Sequence, residues 1–593
     1  MDNKYVWDLT YFFKDEEAFL KALEDFKAIP PKLASFQGKL GVDESLRECF
    51  DLQKKLEVDL TRLYCFASMR SDRDKKDVAN ASDLMKVRSC LAGLMEAFAF
   101  YEPEIIALGE DHMKDFFAKY PAYEEFRFPI QKLFKGQRYV LSPDKELLLS
   151  AFSELQGEGR DLYSTLSVAD YVDPEITLST GEKVQVTHAN WTSLIAEAKN
   201  KEDRQAIFEA LYRHYDAHKN TYAEIYRTIL NSQLANKKTR GYKDILNSHL
   251  FYNDIPEEVF LNLIDVASSE EGSAPLKRYY EIKRKYLGLE KFRSYDRFVQ
   301  LAKSEKKYTF EEAQALFFDS IKTFPKDFQD KAHEVNKEGF VDVYPGPGKR
   351  TGAYSNGGAN FHPFILLNFN GELNDVFTLA HESGHSIHTL YSEETQPLMI
   401  QDYTIFVAEI ASTFNEHNLL DYLLKSGTLS KQDQIFLLQK SIDEICSTFY
   451  RQTLFGHYEY LVSKLAEKEE PINYQVLNKT MVDLYKQYYG IDIEEEVYKP
   501  FVWAYIPHLF NSPFYVYQYA TSFTSSMLIY ENVAAGKEKA FENYINLLRS
   551  GGSEYPVDQV KKAGVDLTTK EPYLAVVKRM NELVDRLEKL LLD

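Results

Sequence analysis

Residues 371–392 read GELNDVFTLAHESGHSIHTLYS, and the spacing inside this run governs how the rest of the chain is read. Val376, Leu379, Ile387 and Leu390 recur at helical spacing, which predicts an α-helix. On that helix His381 and His385 stand one turn apart on one face, so both imidazoles can reach a single ion. Glu382 projects from the adjacent position, close enough to meet a water at the ion without ligating it. Neutral imidazole suits zinc, and three protein ligands leave a fourth position for water. His388 shares the same face. Helix rise nevertheless sets it about 10 Å from His381, too far for bonds of about 2.1 Å to one ion, so it is expected to orient or pack beside the ligands. The metzincin pattern would need Gly at 388 and His at 391; His388 and Tyr391 exclude that class.

A third ligand is expected from another helix. Residues 402–420, DYTIFVAEIASTFNEHNLL, are amphipathic and carry Glu409 and Glu416 two turns apart on one face. Such a pair predicts one ligand and one carboxylate that orients a histidine, and spacing leaves open which is which. His214 and His218 are also four apart, but they lack the intervening Glu and lie in a charged stretch, and are read as surface residues.

Two interruptions read as β structure. Ile176, Leu178, Val184 and Val186 alternate with polar residues around Thr180-Gly181, which predicts a hairpin near 175–188. Phe340 to Tyr344 also alternates. A Pro/Gly-rich loop follows (345–360, PGPGKRTGAYSNGGAN), and then 361–371, FHPFILLNFNG. Pro363 predicts a strand beginning or an edge strand, which in a peptidase can pair with an extended substrate. Gly357, Gly358 and Phe361 are candidate substrate contacts, with Tyr517 further on. Elsewhere the pattern is amphipathic helix, as at Glu16–Phe26 and Asp433–Tyr450. With only 26 Gly and no low-complexity linker, the expectation is one continuous, mostly α body with loosely separable lobes.

Charge narrows the partners. The 593 residues include 71 basic and 91 acidic side chains, a net charge of −20, which repels nucleic acid and anionic lipid. Cys49, Cys65, Cys90 and Cys446 fit neither a disulfide framework nor a zinc ribbon, which points to a reducing compartment. The N-terminal MDNKYVWDLTYFF has no basic stretch leading into an apolar run, so no signal peptide is expected. No stretch approaches the roughly 18 apolar residues that span a bilayer. The expected location is cytoplasmic.

Near the C-terminus, 508–522 read HLFNSPFYVYQYATS. Tyr515 and Tyr519 share one helical face after His508, and imidazole and phenol donors can stabilise the oxyanion of a tetrahedral intermediate. One such donor is typically worth about 2.7–4 kcal/mol. Tyr515, Tyr517 and Tyr519 compete for that place.

At HESGH, VAEIASTFNE, HLFNSPFYVYQYATS and the N-terminal WDL the chain resembles the thimet oligopeptidase and oligoendopeptidase F group of zinc peptidases, the oligoendopeptidase F branch in particular, over essentially its whole length. The resemblance implies a mostly α-helical fold, two lobes flanking a deep channel with zinc at its floor, and the β pattern read above adds a small sheet beside the HExxH helix. It implies Glu409 as third ligand, Glu416 as the orienting carboxylate, and a His with tyrosines as oxyanion donors. The division expected is 1–200, an N-terminal helical lobe with the hairpin, and 201–593, the catalytic domain. The reaction expected is hydrolysis of internal bonds of short peptides with one Zn²⁺ per chain. Zinc brings the pKa of water to about 7, and Glu382 takes the proton and later delivers it to the leaving amine. The rival readings are a helical zinc carboxypeptidase and a peptide-binding scaffold with a structural metal. The sequence does not specify an oligomeric state.

Overall fold

The computed structural model describes residues 3–150, 152–427 and 429–592. The elements that matter for the site are, in chain order, helix α1 (Asp43–Arg73), helix α2 (Ser153–Ser164), strands β1 (Glu175–Thr177) and β2 (Lys183–Gln185), and strands β3 (Val341–Asp342), β4 (Tyr354–Gly358) and β5 (Phe361–Leu366). After them come helices α3 (Leu373–Thr395), α4 (Ile405–Lys425), α5 (Lys431–Glu444) and α6 (Arg451–Glu467). The fold is mostly α-helical with two small sheets, as expected. Among the described residues no helix is long and apolar enough to cross a membrane, and the four cysteines are free thiols.

By packing, the chain divides into two compact units: Met1–Arg138 with Glu305–Ser426 and Ile529–Gly564, and Tyr139–Ser304 with Gly427–Leu528 and Val565–Asp593. The expected cut between residues 200 and 201 falls inside the second unit. Each unit is assembled from separate stretches of chain, so no single cut divides them.

The first unit is built on an aromatic core. Phe12, Phe13, Phe19, Phe50, Phe66 and Phe364 are buried together with Trp7 and the apolar face of α1. The Trp7 indole donates to the Ile365 carbonyl at 2.8 Å, and the Asp8 N–H donates to the Gly339 carbonyl at 2.8 Å. The WDL run thus fastens the start of the chain to the three-stranded sheet.

That sheet has the order β3-β5-β4, with β3 parallel and β4 antiparallel to β5. Two expectations change here. The stretch read as loop contains β4, and β5 is the central strand although it carries Pro363. Proline is tolerated because β3 pairs only with Ile365 and Leu366, while Pro363 lies against β4 where the register shifts between Asn356 and Gly358. A Cβ on Gly357 would come within 2.8 Å of the Pro363 Cα, so only glycine lets the strands close at this point. The edge strands are therefore β3 and β4.

In the second unit β1 and β2 form the expected hairpin, paired from Glu175↔Gln185 to Thr177↔Lys183, with Gly181 at φ +85° in the turn. Two wide, π-helical turns interrupt its helices: Thr165–Ala169 extends α2, and Ile445–Tyr450 joins α5 to α6. The predicted helix Asp433–Tyr450 is thus partly π. His214 is not a surface residue. It is half-buried, with Nε2 3.1 Å from the Leu166 carbonyl and 3.0 Å from the Tyr222 hydroxyl.

Candidate metal centre

Helix α3 begins at a capping box in which the Asp375 carboxylate accepts the Glu372 N–H at 3.0 Å. It packs closely along α4. A Cβ on Gly384 would lie 2.5 Å from the Ala411 carbonyl oxygen, so the Gly of HESGH is what allows the two helix backbones to approach. The Asn415 amide, donating to the Ala380 carbonyl at 3.0 Å, fixes their register.

This packing brings His381, His385 and Glu409 together. The two Nε2 atoms lie 3.2 Å apart, and each is 3.5 Å from Glu409 Oε2. A tetrahedral ion with bonds of about 2.1 Å holds its ligand atoms about 3.4 Å apart, so the three donors are spaced as three corners of such a site. Among the described residues no other group of three His, Cys, Asp or Glu donors converges this way. The donor set fits zinc: two imidazoles and one carboxylate.

The surroundings orient each donor. Glu416 Oε1 sits 2.6 Å from His381 Nδ1, which places the ring proton there and leaves Nε2 for an ion. Burial opposes a charge on His381, but the Glu416 hydrogen bond and the carboxylates around it outweigh burial and lift its pKa to about 9. Burial likewise pushes Glu409 up. The hydrogen bond and charge of His385, with His381 behind it, bring it down to about 2. The Ser412 hydroxyl donates to Glu409 Oε2 at 3.0 Å. Glu382 is buried at 6% exposure and lines the same cavity; burial raises its pKa against the pull of the two histidines. His388 does not reach the donors. It is buried and stacked 3.6 Å from the Tyr403 ring, neither of its nitrogens has a hydrogen-bond partner, and burial lowers its pKa to about 3.

The cavity over the donors measures about 550 Å³. Gly357 and Gly358 line it with Asn356, so the edge of β4 forms part of the wall. Phe361 does not; its ring packs into the aromatic core, 5.6 Å from Phe12. Sequence reasoning missed Tyr403, Gln401 and Glu393 on the wall. Their one signal was position, on the last turns of α3 and the loop into α4. Burial pushes Glu393 up to about 7.

The C-terminal candidates lie in the second unit. Tyr515 and Tyr519 do gather at His508, with ring centroids 6.3 and 6.5 Å away. Tyr517 points elsewhere, buried against Phe260 at 5.1 Å; it opens the helix Tyr517–Ala534, on which Tyr519 two positions on faces the other way, and Tyr515 precedes that helix rather than sharing a helical face with Tyr519.

Comparisons with known proteins agree on a single family. The model of Peptidase family M3 matches residues 194–579, and that of Oligopeptidase F matches 104–172. The chain is 33% identical over 591 residues to oligopeptidase PepF of Bacillus subtilis, covering 99% of this chain and 87% of that one. It is 32% identical over 591 residues to group B oligopeptidase PepB of Streptococcus agalactiae, covering 100% and 98%. Among solved structures it is similar to oligoendopeptidase-F from Enterococcus faecium, with a TM-score of 0.74 and 27% identity over 97% of this chain and 98% of that one.

Proposed function

The chain belongs to peptidase family M3 and is a peptidase, and on that premise we propose that it is a zinc-dependent endopeptidase cutting internal bonds of short peptides. The observation that carries this reading is the convergence of His381, His385 and Glu409 at tetrahedral spacing with Glu382 in the same cavity. When bound there, zinc supplies Lewis acidity that polarises a carbonyl and yields a nucleophile from water at neutral pH.

The chain's own residues do the rest. Glu416 holds the proton on His381 Nδ1 and so fixes the ring's tautomer and aim. Ser412 restrains the Glu409 carboxylate. Glu382, whose pKa is raised by burial, receives a proton on its carboxylate from water and passes it to the leaving amine. Outer main-chain groups of β4, from Asn356 to Gly358, are available to an extended peptide as to an added strand. That mode reads backbone rather than side chains and suits an enzyme for varied short peptides. His508, Tyr515 and Tyr519 are proposed as hydrogen-bond donors in turnover on their chemistry, and His508→Ala kinetics test it. Four free thiols support a reducing, cytoplasmic location.

A peptide of about ten residues blocked at both ends, incubated with and without a chelator and followed by mass spectrometry, tests the reading. Internal cleavage that stops with the chelator is expected. Cleavage only after the C-terminal block is removed would instead make the enzyme a carboxypeptidase, and binding without turnover would make it a scaffold.

A further inference from the structure

The second unit contains a cavity of its own, about 630 Å³, walled by phenols and imidazoles that include Tyr171, Tyr215, His188 and His508. Both π-helical turns border it. Ser167 and Val168 belong to the first turn, and Arg451 and Gln452 directly follow the second. Wide turns of this kind are uncommon and gather at functional sites, because they re-aim the side chains beside them.

Arg451 is the side chain so aimed. Its Nε is sealed from solvent with no hydrogen-bond partner, and no described residue accepts a hydrogen bond from its guanidinium or forms an ion pair with it. Its plane lies over Phe455, 4.8 Å from the ring centroid. Burial disfavours its charge most, and a second cation, Arg297, adds to that. Asp173 is the carboxylate on the cavity wall, and it neither hydrogen-bonds to Arg451 nor pairs with it. Arg297 also has a sealed, unpartnered Nε but does not line the cavity, whereas two other arginines of this unit are paired. Arg204 meets Asp296 at 2.9 Å, and Arg240 grips Glu146 with two bonds of 2.8 and 3.0 Å.

Guanidinium cannot shed its proton in a protein, so a half-buried one without a counter-charge calls for an anion from outside. Its planar fork matches a carboxylate, and peptides carry carboxylates at the C-terminus and on Asp and Glu. We infer that this cavity is a carboxylate-binding subsite for peptides, with Arg451 as its receptor. The identity of the ligand as a peptide rests on the peptidase reading above; the affinity for a carboxylate does not.

The test is equilibrium binding by calorimetry to the full chain carrying Glu382→Gln, with and without Arg451→Gln. Four peptides of one parent sequence serve as ligands, with a free or amidated C-terminus combined with Asp or Asn at one internal position. Carboxylate peptides are expected to bind about 10- to 100-fold more tightly than the neutral one. A preference for the free terminus assigns the terminal carboxylate, and a preference for Asp in the amidated pair assigns the side chain. Arg451→Gln should erase the preference, and Arg451→Lys should keep only part of it, because ammonium lacks the fork. Acetate should compete with the acid peptide and not with the amide, a measurement that needs no substitution at 451. Equal affinities for all four peptides, a preference that survives Arg451→Gln, or failure of acetate to compete would overturn the inference. Cleavage of the same peptides by the unmodified chain is scored separately, so loss of the peptidase reading and loss of the subsite give different results.

Discussion

In the first unit the His381 imidazole has a carboxylate beside each nitrogen, whereas in the second the Arg451 guanidinium has none beside any. Both groups are set back from bulk water. The difference lies in what each is prepared to receive. A cation site must have its negative and neutral donors aimed before the ion arrives, and in the site proposed above Glu416, Ser412 and the close contact at Gly384 would do this. An anion site leaves its positive charge unanswered until the ligand supplies the partner.

Four changes break or sharpen this contrast. Glu382→Gln should lower kcat on the order of 10²- to 10⁴-fold while metal content, read by elemental analysis, stays near that of the parent. Metal loss alongside activity would mean that Glu382 serves the ion rather than the proton. Asp296→Asn leaves Arg204 buried and unpaired, and denaturant unfolding should show a loss of about 3–5 kcal/mol. Arg451→Gln, which strands no partner, should cost far less; equal losses would erase the distinction between paired and receptive arginines. Glu416→Gln keeps the shape but weakens the hold on His381 Nδ1, and competition with a chelator should show metal affinity down by about 10- to 100-fold.

The smallest effect concerns pH. Burial lowers the pKa of His249, stacked 4.9 Å from Phe514, to about 4. Below its ordinary pKa of about 6.5 the unfolded chain takes up a proton that the folded chain refuses. The stability contributed by neutral His249 is therefore complete above about pH 6.5 and declines as pH falls toward 4. His249→Phe should flatten that part of the melting-temperature profile by a few degrees, and an unchanged profile would assign the acid sensitivity to other groups.

Much of the donor cluster was legible because helical period fixes geometry. His385 follows His381 by four positions, one turn, and Glu416 follows Glu409 by seven, two turns. The same rule separates Tyr517 from Tyr519. Strand β4 was not legible, since SNGG is a loop by propensity and becomes a strand only because β5 and α3 lie against it, the Ser355 hydroxyl meeting that of Ser386 at 2.8 Å. Pro363 misled because its rule concerns hydrogen-bonded positions, and β3 stops short of it. The two units were hidden by a chain that leaves each and returns, without a linker to mark the crossing. Arg451 carries no motif, and only packing reveals that an expected counter-charge is missing.

The indole bond that fastens Trp7 to Ile365 joins positions 358 residues apart. During ribosomal synthesis at roughly 5–20 residues per second, the early aromatic segment waits about 20 to 70 s for the strand that will cover it. Nascent chains therefore carry Trp7 and Phe12 without their strand partners through most of their translation, and their yield in the cell should respond to the supply of holding chaperones as well as to the final stability of the sheet.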